Sequence, residues 1–370
     1  MGTFGRAATE SDARGGLLPR ADASGAGLAT SRSSTIGAVQ GLRAAAALMV
    51  VVAHVVPGFV IGQAGVDIFF VISGFIMVYA SERAFGQPGA SSLFISRRLI
   101  RILPLYWATT AVLLVEMLWK YRGLAAAHDS VAYVVASFLF VPYPGPDGTV
   151  SPLHGVGWTL NYEMFFYAIF AAALRFRAHL AAALVIGLLA VVAALHIAMP
   201  DLPVQLHFWS DPIILEFALG VAIATLLRST GDWPRPIGPL LLLANCGWFG
   251  WLAVHASGGA PRLVEWGFPA ALAVLGAATM RELADGKPRR LLLFAGDASY
   301  ALYLTHTLTL ATLARLFPGA WPEHAARSPL EAIILVGATV VVAALAYVLV
   351  DAPVTKSLQR RLKLRARPRA

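Results

Sequence analysis

Long apolar segments recur along most of this chain, and they constrain its fold more than any other feature. Ten such segments are present, and most approach the ~20 residues that a helix needs to cross a bilayer. They lie at about 37–59, 65–80, 101–119, 156–174, 180–199, 212–227, 237–256, 264–280, 292–314 and 330–350. Segments of this length are too long for the strands of a membrane β-barrel. The sequence therefore predicts an all-α fold, a polytopic membrane helix bundle of about ten transmembrane helices.

The composition supports this prediction and excludes several other classes of protein. Hydrophobic residues make up 58% of the 370 residues and charged residues only 13%. A soluble domain carries about 25% charged residues. A soluble α/β enzyme and a disordered protein are therefore excluded. Cys246 is the single cysteine, so a secreted disulfide scaffold is excluded as well.

The basic residues predict the orientation of the chain in the membrane. A net charge of +9 would suggest a nucleic-acid partner, but most of the 29 Lys and Arg residues flank the apolar segments. They concentrate in both tails and in alternate loops, as the positive-inside rule expects of cytoplasmic segments. We therefore expect a multi-pass protein of the cell inner membrane, with both termini cytoplasmic and no nucleic-acid partner.

The chain divides into a membrane domain and two tails. Residues 1–35 are rich in Gly, Ala, Ser and Arg and lack the apolar core of a signal peptide, which predicts a disordered cytoplasmic tail. The membrane domain is predicted over 36–355, followed by a basic cytoplasmic tail at 356–370. The largest outside loop is predicted at 120–155. Within it, 131–141 is apolar but only about half as long as a span, which indicates an interfacial or re-entrant segment.

Two ionisable residues in the first span are candidates for function. Charged groups inside a membrane are costly, so each one is a functional candidate by default. Arg43 and His54 are eleven positions apart. This is close to three helical turns, so both side chains share one helix face, about 16 Å apart along the axis. The alternative is an arginine that reaches the membrane surface and an unrelated core histidine.

Further polar side chains lie inside other predicted spans. Those expected at a depth similar to that of His54 are Asp67, Glu163, Glu216 and His306, and Ser73 and Tyr303 lie in the same spans as Asp67 and His306. For any one of them, a structural hydrogen bond between helices is an open alternative. Their agreement in depth favours a shared site.

Three arginines mark a predicted cytoplasmic helix entrance. Arg97, Arg98 and Arg101 precede Pro104 in RRLIRILPLYW. A membrane anchor explains such arginines, and a phosphate-rich ligand would use the same guanidinium groups through bidentate contacts. The chain has no GxxxxGK[ST], GxGxxG, HExxH or GxSxG motif, so we expect no metal site and no permanently bound cofactor.

Six motifs occur in the order found in one known family. They are R-x10-H from Arg43 to His54, GVDIFFVISGF, RRLIRILPLYW, GWTLNYEMFFY, EFALG and GDASYALYLTH. On these motifs the chain resembles the acyltransferase-3 family of integral membrane O-acyltransferases, in particular its exopolysaccharide-acetylating branch. The resemblance covers about residues 37–355. One departure is Asp351 in VDAP, where relatives commonly have Glu, and we assign no catalytic role to it.

The resemblance implies transfer of an acyl group, usually acetyl, from acetyl-CoA to a hydroxyl of an extracytoplasmic or lipid-linked glycan such as an exopolysaccharide. The expected partners are the lipid bilayer, acyl-CoA, the glycan acceptor and polysaccharide-assembly machinery. Acetyl-CoA is then the donor substrate, and Arg43, Arg97, Arg98 and Arg101 are expected to bind its phosphates.

The same reaction suggests catalytic roles. A sugar hydroxyl needs a base with a pKa near 7, which histidine supplies as a residue type, and His54 is the first candidate for that base. A carboxylate would orient His54, with Glu163 as the first candidate and Asp67 as the second. Tyr303 and Ser73 are candidate donors to the developing oxyanion, and His306 is the rival to His54.

The alternative class is a multi-pass transporter of a proton, a sugar or an acylated metabolite. Intramembrane carboxylates and histidines also form proton relays. Transporters tend to show internal repeats and paired broken helices, which the sequence lacks. The enzyme is therefore favoured, while the acceptor and the choice between acetyl and succinyl are left open.

Overall fold

The computed structural model describes residues 23–121, 130–231, 233–234, 236–255, 260–280, 287–317 and 326–362. Helices dominate this part of the chain, which contains no strand and one isolated bridge between Pro144 and Val150. The predicted all-α class is therefore confirmed.

Thirteen α-helices occur within the described residues. They are α1 (Ala23–Val55), α2 (Ala64–Ala80), α3 (Ala90–Tyr121), α4 (Ser130–Phe138), α5 (Trp158–Ala173), α6 (Ala178–Ala198), α7 (Val204–Trp209), α8 (Leu215–Thr230), α9 (Ile237–His255), α10 (Phe268–Thr279), α11 (Lys287–Leu316), α12 (Pro329–Ala346) and α13 (Ala352–Arg361). Two π-helical turns, Leu263–Gly267 and Tyr347–Asp351, lead directly into α10 and α13.

Each of the ten predicted apolar segments overlaps one of these helices. Within the described residues, six helical segments are long and apolar enough to cross a membrane. They are Gly37–Val55, Val60–Ala80, Ala90–Trp119, Ala178–Ala198, Pro212–Thr230 and Pro329–Arg361. Ile237–Leu252 and Leu263–Thr279 are apolar but shorter. The multi-pass membrane architecture is confirmed, and the count of ten spans stays a prediction.

Both predicted domain boundaries fall inside continuous helices. α1 begins at Ala23, so part of the segment predicted as a disordered tail is helical, and residues 1–22 lie outside the described residues. No proline interrupts the chain between Pro19 and Pro57, and alanine favours helix, so the backbone continues without a break. At the other end, α13 extends to Arg361, and 363–370 lie outside the described residues. The boundaries stay predictions.

The helix α2 lies at the centre of the bundle and packs closely on α8. A Cβ atom at Gly74 would overlap the carbonyl oxygen of Phe217, and one at Gly220 would overlap that of Val71. Only glycine permits two helix backbones to approach this closely. The contact fixes α2, which carries two of the predicted site residues, in the interior.

The predicted half-span forms a short helix that brings a loop into the bundle. α4 has nine residues, too few to cross a bilayer. The hydroxyl of Tyr106 on α3 donates to Ser137 O at 2.8 Å, and Ser137 Oγ accepts from the backbone N–H of Leu153 at 2.8 Å. These contacts place the next residue, His154, where only 1% of it is exposed.

Candidate active site

Two adjoining cavities lie inside the bundle. The arginine-side cavity, of about 130 Å³, is lined by Arg43, Arg98 and Arg101 together with Ser73, Glu163 and Tyr167. The histidine-side cavity, of about 720 Å³, is lined by His54, His154, Trp158, Arg262, Glu116 and Arg315 among others. Val66 and Tyr303 line both cavities. Arg43 and His54, the two residues of the R-x10-H motif, therefore line adjoining cavities.

The arginine-side cavity unites three of the four predicted arginines. Arg98 lies over the rings of Phe94 and Tyr167, with its guanidinium carbon 5.6 Å and 5.9 Å from their centroids. The guanidinium of Arg101 lies 5.2 Å from the ring centroid of Tyr300. Arg97 is not in the lining of this cavity, because one residue further along a helix turns a side chain by about 100°.

Acidic and amide groups that the sequence did not single out hold these arginines. Arg101 pairs with Asp351, and its Nη2 donates to Asp297 O at 3.1 Å. Arg43 donates to Gln40 Oε1 at 3.1 Å, and Gln40 donates to Asp297 Oδ1 at 2.7 Å. Two features of the sequence point to these acidic groups. Asp297 lies inside the motif GDASYALYLTH, and Asp351 is the acidic residue of VDAP.

Glu163 lies in the arginine-side cavity and contacts hydroxyl groups. Ser73 Oγ donates to Glu163 Oε1 at 2.9 Å, and the hydroxyl of Tyr167 donates to the same oxygen. Glu163, the first candidate for orienting His54, therefore forms its hydrogen bonds on the arginine side and not with His54. Depth in the membrane was the basis of that expectation, and depth does not fix the direction in which a helix presents its side chain.

Asp67, the second candidate, is also engaged. It is fully buried and accepts two hydrogen bonds from Arg262, Nε to Oδ1 at 3.0 Å and Nη2 to Oδ2 at 2.8 Å. Arg262 lines the histidine-side cavity, so this bidentate pair determines where its guanidinium group lies. Glu216 on α8 is fully buried too and lies beside the Asp67 carboxyl group, and its carboxyl oxygens accept from no donor within the described residues.

His54 is oriented by a backbone carbonyl group. Its Nδ1 lies 2.8 Å from Val50 O, one turn earlier on α1. A carbonyl oxygen only accepts, so Nδ1 carries the proton and Nε2 keeps a free lone pair. The expected carboxylate partner is thus replaced by the helix's own backbone, and the tautomer is the one that a base acting through Nε2 requires.

His306 packs directly against His54. The ring centroids are 4.8 Å apart in an edge-to-face arrangement. His306 is fully buried, and its Nδ1 donates to Tyr303 O at 2.8 Å. Its Nε2 has no hydrogen-bond partner within the described residues. The two histidines that the sequence placed at one depth therefore form one cluster.

His154 joins this cluster from a loop, and sequence reasoning missed it. Its Nε2 donates to Leu304 O at 2.9 Å. Burial lowers the pKa of His154 from 6.5 to about 4, so the ring is neutral at pH 7. Its only sequence signal was its position just before GWTLNYEMFFY.

The two predicted oxyanion donors use their hydroxyl groups within the protein. The Tyr303 hydroxyl lies 3.0 Å from both Val156 O and Thr159 Oγ1, and Ser73 donates to Glu163. Before it could donate to an oxyanion, each hydroxyl would have to give up its hydrogen bond to a protein acceptor. The role of Tyr303 and Ser73 as oxyanion donors therefore stays a prediction.

A comparison with known families identifies the family of this chain. Residues 36–348 match the acyltransferase-3 family model, which is described as an acyltransferase domain. No solved structure matches the chain.

Individual relatives agree with the family match. The chain is 37% identical to the exopolysaccharide production protein ExoZ of Rhizobium meliloti (strain 1021), over 70% of this chain and 79% of that protein. It is 25% identical to the acyltransferase MdmB of Streptomyces mycarofaciens, over 83% of this chain and 84% of that protein. It is 28% identical to the peptidoglycan O-acetyltransferase OatA of Listeria monocytogenes, over 87% of this chain and 56% of that protein.

Proposed function

Because the chain belongs to the acyltransferase-3 family, and is therefore an integral membrane acyltransferase, we propose that it moves an acetyl group from cytoplasmic acetyl-CoA to a hydroxyl of an extracytoplasmic or lipid-linked glycan. The names of two relatives, an exopolysaccharide production protein and a peptidoglycan O-acetyltransferase, support a glycan acceptor. The name of the first relative, an exopolysaccharide production protein, favours exopolysaccharide as the acceptor.

One observation carries the proposal: an arginine-lined cavity adjoins a cavity that is lined by His54. Arg43, Arg98 and Arg101 present guanidinium groups on one side, and His54 lies on the other. Coenzyme A carries several phosphates, and guanidinium groups bind phosphate through paired, charge-assisted hydrogen bonds. Arg43 and His54 are about 16 Å apart along α1, a separation that the extended pantetheine arm spans.

The chemistry at His54 follows from its tautomer. The acceptor hydroxyl gives its proton to Nε2 as its oxygen attacks the thioester carbonyl carbon. The C–S bond then breaks, the acetyl group stays on the sugar oxygen, and the CoA thiolate takes the proton from the imidazolium. The Nδ1–H bond to Val50 O holds the ring throughout and stabilises the charged form. His306, in contact with the same ring, restricts its rotation.

The distribution of basic residues supports a cytoplasmic position for the arginine-side cavity. Arg97, Arg98 and Arg101 belong to a predicted inside loop, and the basic tail after Lys356 belongs to the same side. Under this orientation both termini are cytoplasmic, the protein lies in the inner membrane, and the histidine-side cavity faces the glycan. Polysaccharide-assembly machinery would then supply the acceptor.

Reconstitution tests the proposal. The purified full-length protein in proteoliposomes is given acetyl-CoA labelled in the acetyl group, with isolated surface polysaccharide on the opposite side. We expect label on the polysaccharide and one free CoA thiol per acetyl group transferred. Movement of intact donor or glycan across the membrane without release of CoA would contradict the proposal and indicate a transporter. Mass spectrometry of the polysaccharide from cells with and without the gene identifies the acetylated position.

A further inference from the structure

The two cavities meet between the arginines and His54. Of the described residues, Val66 and Tyr303 line both cavities. Under the proposed function, coenzyme A binds on the arginine side and the base lies on the histidine side. Under that function the acyl group lies where the two cavities meet, in a passage that these two side chains line, when it reacts at His54.

The Tyr303 side of this passage is fixed. Its hydroxyl lies 3.0 Å from both Val156 O and Thr159 Oγ1. Its ring contacts Phe69, at a centroid distance of 5.9 Å, and His306, at 6.0 Å. A buried ring held at its hydroxyl and at both of these neighbours does not swing aside to admit a larger group.

The backbone on the Val66 side is fixed as well. A Cβ atom at Gly65 would overlap Ala46 O, so α2 lies directly against α1 at this point. On the other flank, Asp67 is held by its bidentate pair with Arg262. Because neither neighbour can move, the width of the passage depends on the Val66 side chain. Valine is branched at Cβ and has few rotamers, which makes that width well defined.

We propose that Val66 is the residue that selects the acyl group by size and restricts the donor to acetyl-CoA. This inference rests on the proposed function and adds the donor specificity to it. Apolar side chains, including Phe69 and Val66, surround the passage. The selection therefore acts on the size of the acyl group, and the accepted donors are thioesters of short acyl groups.

A comparison of donors across matched variants tests the inference. The full-length protein in proteoliposomes is assayed with acetyl-, propionyl- and butyryl-CoA, with acylated glycan quantified by mass spectrometry. One methylene in an apolar site changes kcat/KM by about 10–200-fold. We expect Val66→Ala to raise the propionyl-to-acetyl ratio of kcat/KM by about tenfold or more. Val78→Ala is the control, since Val78 is a buried valine of the same helix that lines neither cavity, and its ratio should equal that of the wild type.

A second substitution keeps the test independent of any loss of folding in the first. Val66→Ile retains the branched Cβ atom and narrows the passage, so it should lower the same ratio. Ratios within twofold of the wild type in both Val66 variants would overturn the inference while leaving the proposed function intact. A wild-type protein that transfers no acyl group from any of the three donors would contradict the proposed function itself, and the inference with it.

Discussion

Arg101 on α3 is paired with Asp351, at the junction of α12 and α13, although 250 positions separate them in the chain. The Asp351 side chain is fully buried, while 27% of the Arg101 side chain is exposed. The same guanidinium group donates to Asp297 O and lies over Tyr300. The segment that follows α12 therefore determines how Arg101 on α3 faces the arginine-side cavity.

Removing the charge at Asp351 should weaken donor binding. In Asp351→Asn the guanidinium of Arg101 loses its carboxylate partner, and a hydrogen bond to a charged group contributes about 1.5–3 kcal/mol. We expect the KM for acetyl-CoA to rise by about tenfold or more, with Asp351→Glu restoring most of the affinity. Initial rates against donor concentration measure the effect. Asp201→Asn, at an exposed position, is the control, and an unchanged KM in Asp351→Asn would show that the pair has no positioning role.

Substitutions of Arg97 and Arg98, two neighbouring arginines on α3, should differ in their effect on the KM for acetyl-CoA. Arg98 lines the arginine-side cavity and Arg97 does not. Arg98→Ala should therefore raise the KM for acetyl-CoA, while Arg97→Ala leaves it close to that of the wild type. Arg43→Lys should also raise it, because lysine keeps the charge but loses the bidentate geometry. Equal effects of the two alanine substitutions at 97 and 98 would instead indicate a membrane anchor.

His54 should be required for the chemical step and not for donor binding. General-base catalysis contributes about 10²–10⁴-fold, so His54→Ala should lose at least about 100-fold in single-turnover acyl transfer. Acetyl-CoA binding should persist, since His54 does not line the arginine-side cavity. His179→Ala, on the exposed surface of α6, is the control.

The same assay separates His54 from His306. If His306 only packs against the His54 ring, His306→Ala should retain measurable transfer where His54→Ala does not. Near-wild-type transfer by His54→Ala would remove the proposed mechanism, whichever family the chain belongs to.

The close contact between α2 and α8 should make Gly74 intolerant of any side chain. In Gly74→Ala the new methyl group meets the backbone of Phe217, which cannot yield unless α8 moves. Overpacking of this kind costs about 1–3 kcal/mol. Thermal unfolding in detergent should show a clear loss, whereas Gly187→Ala, where no atom lies within 4 Å of the new Cβ, should unfold like the wild type.

Reporter fusions test the orientation in the membrane. Fusions after residues 90 and 365 should report the cytoplasm, and fusions after 135 and 205 the outside, because basic residues concentrate in the predicted inside segments. An outside signal at 90 or 365 would reverse the proposed positions of the donor and acceptor cavities.

The apolar segments were sufficient to predict the helices, and the residue spacing was sufficient to place Arg43 and His54 on one helix face. Apolar segments of membrane-spanning length leave the backbone no alternative to internal hydrogen bonding, so every predicted segment is helical. The spacing of Arg43 and His54 gives the angle between them, because both lie on one regular helix, and both face the interior cavities. These features depend only on residues close together in the chain.

Tertiary packing decided which polar groups meet. From the order of the segments, Glu163, Asp67 and His54 were expected at one depth, yet Glu163 binds Ser73 and Asp67 binds Arg262. Depth is one coordinate, and the rotation of each helix about its axis depends on neighbours distant in sequence, such as α8 against Gly74 of α2. For the same reason, the position of His154 in the histidine cluster and the meeting of the two cavities at Val66 and Tyr303 arise only when the helices assemble.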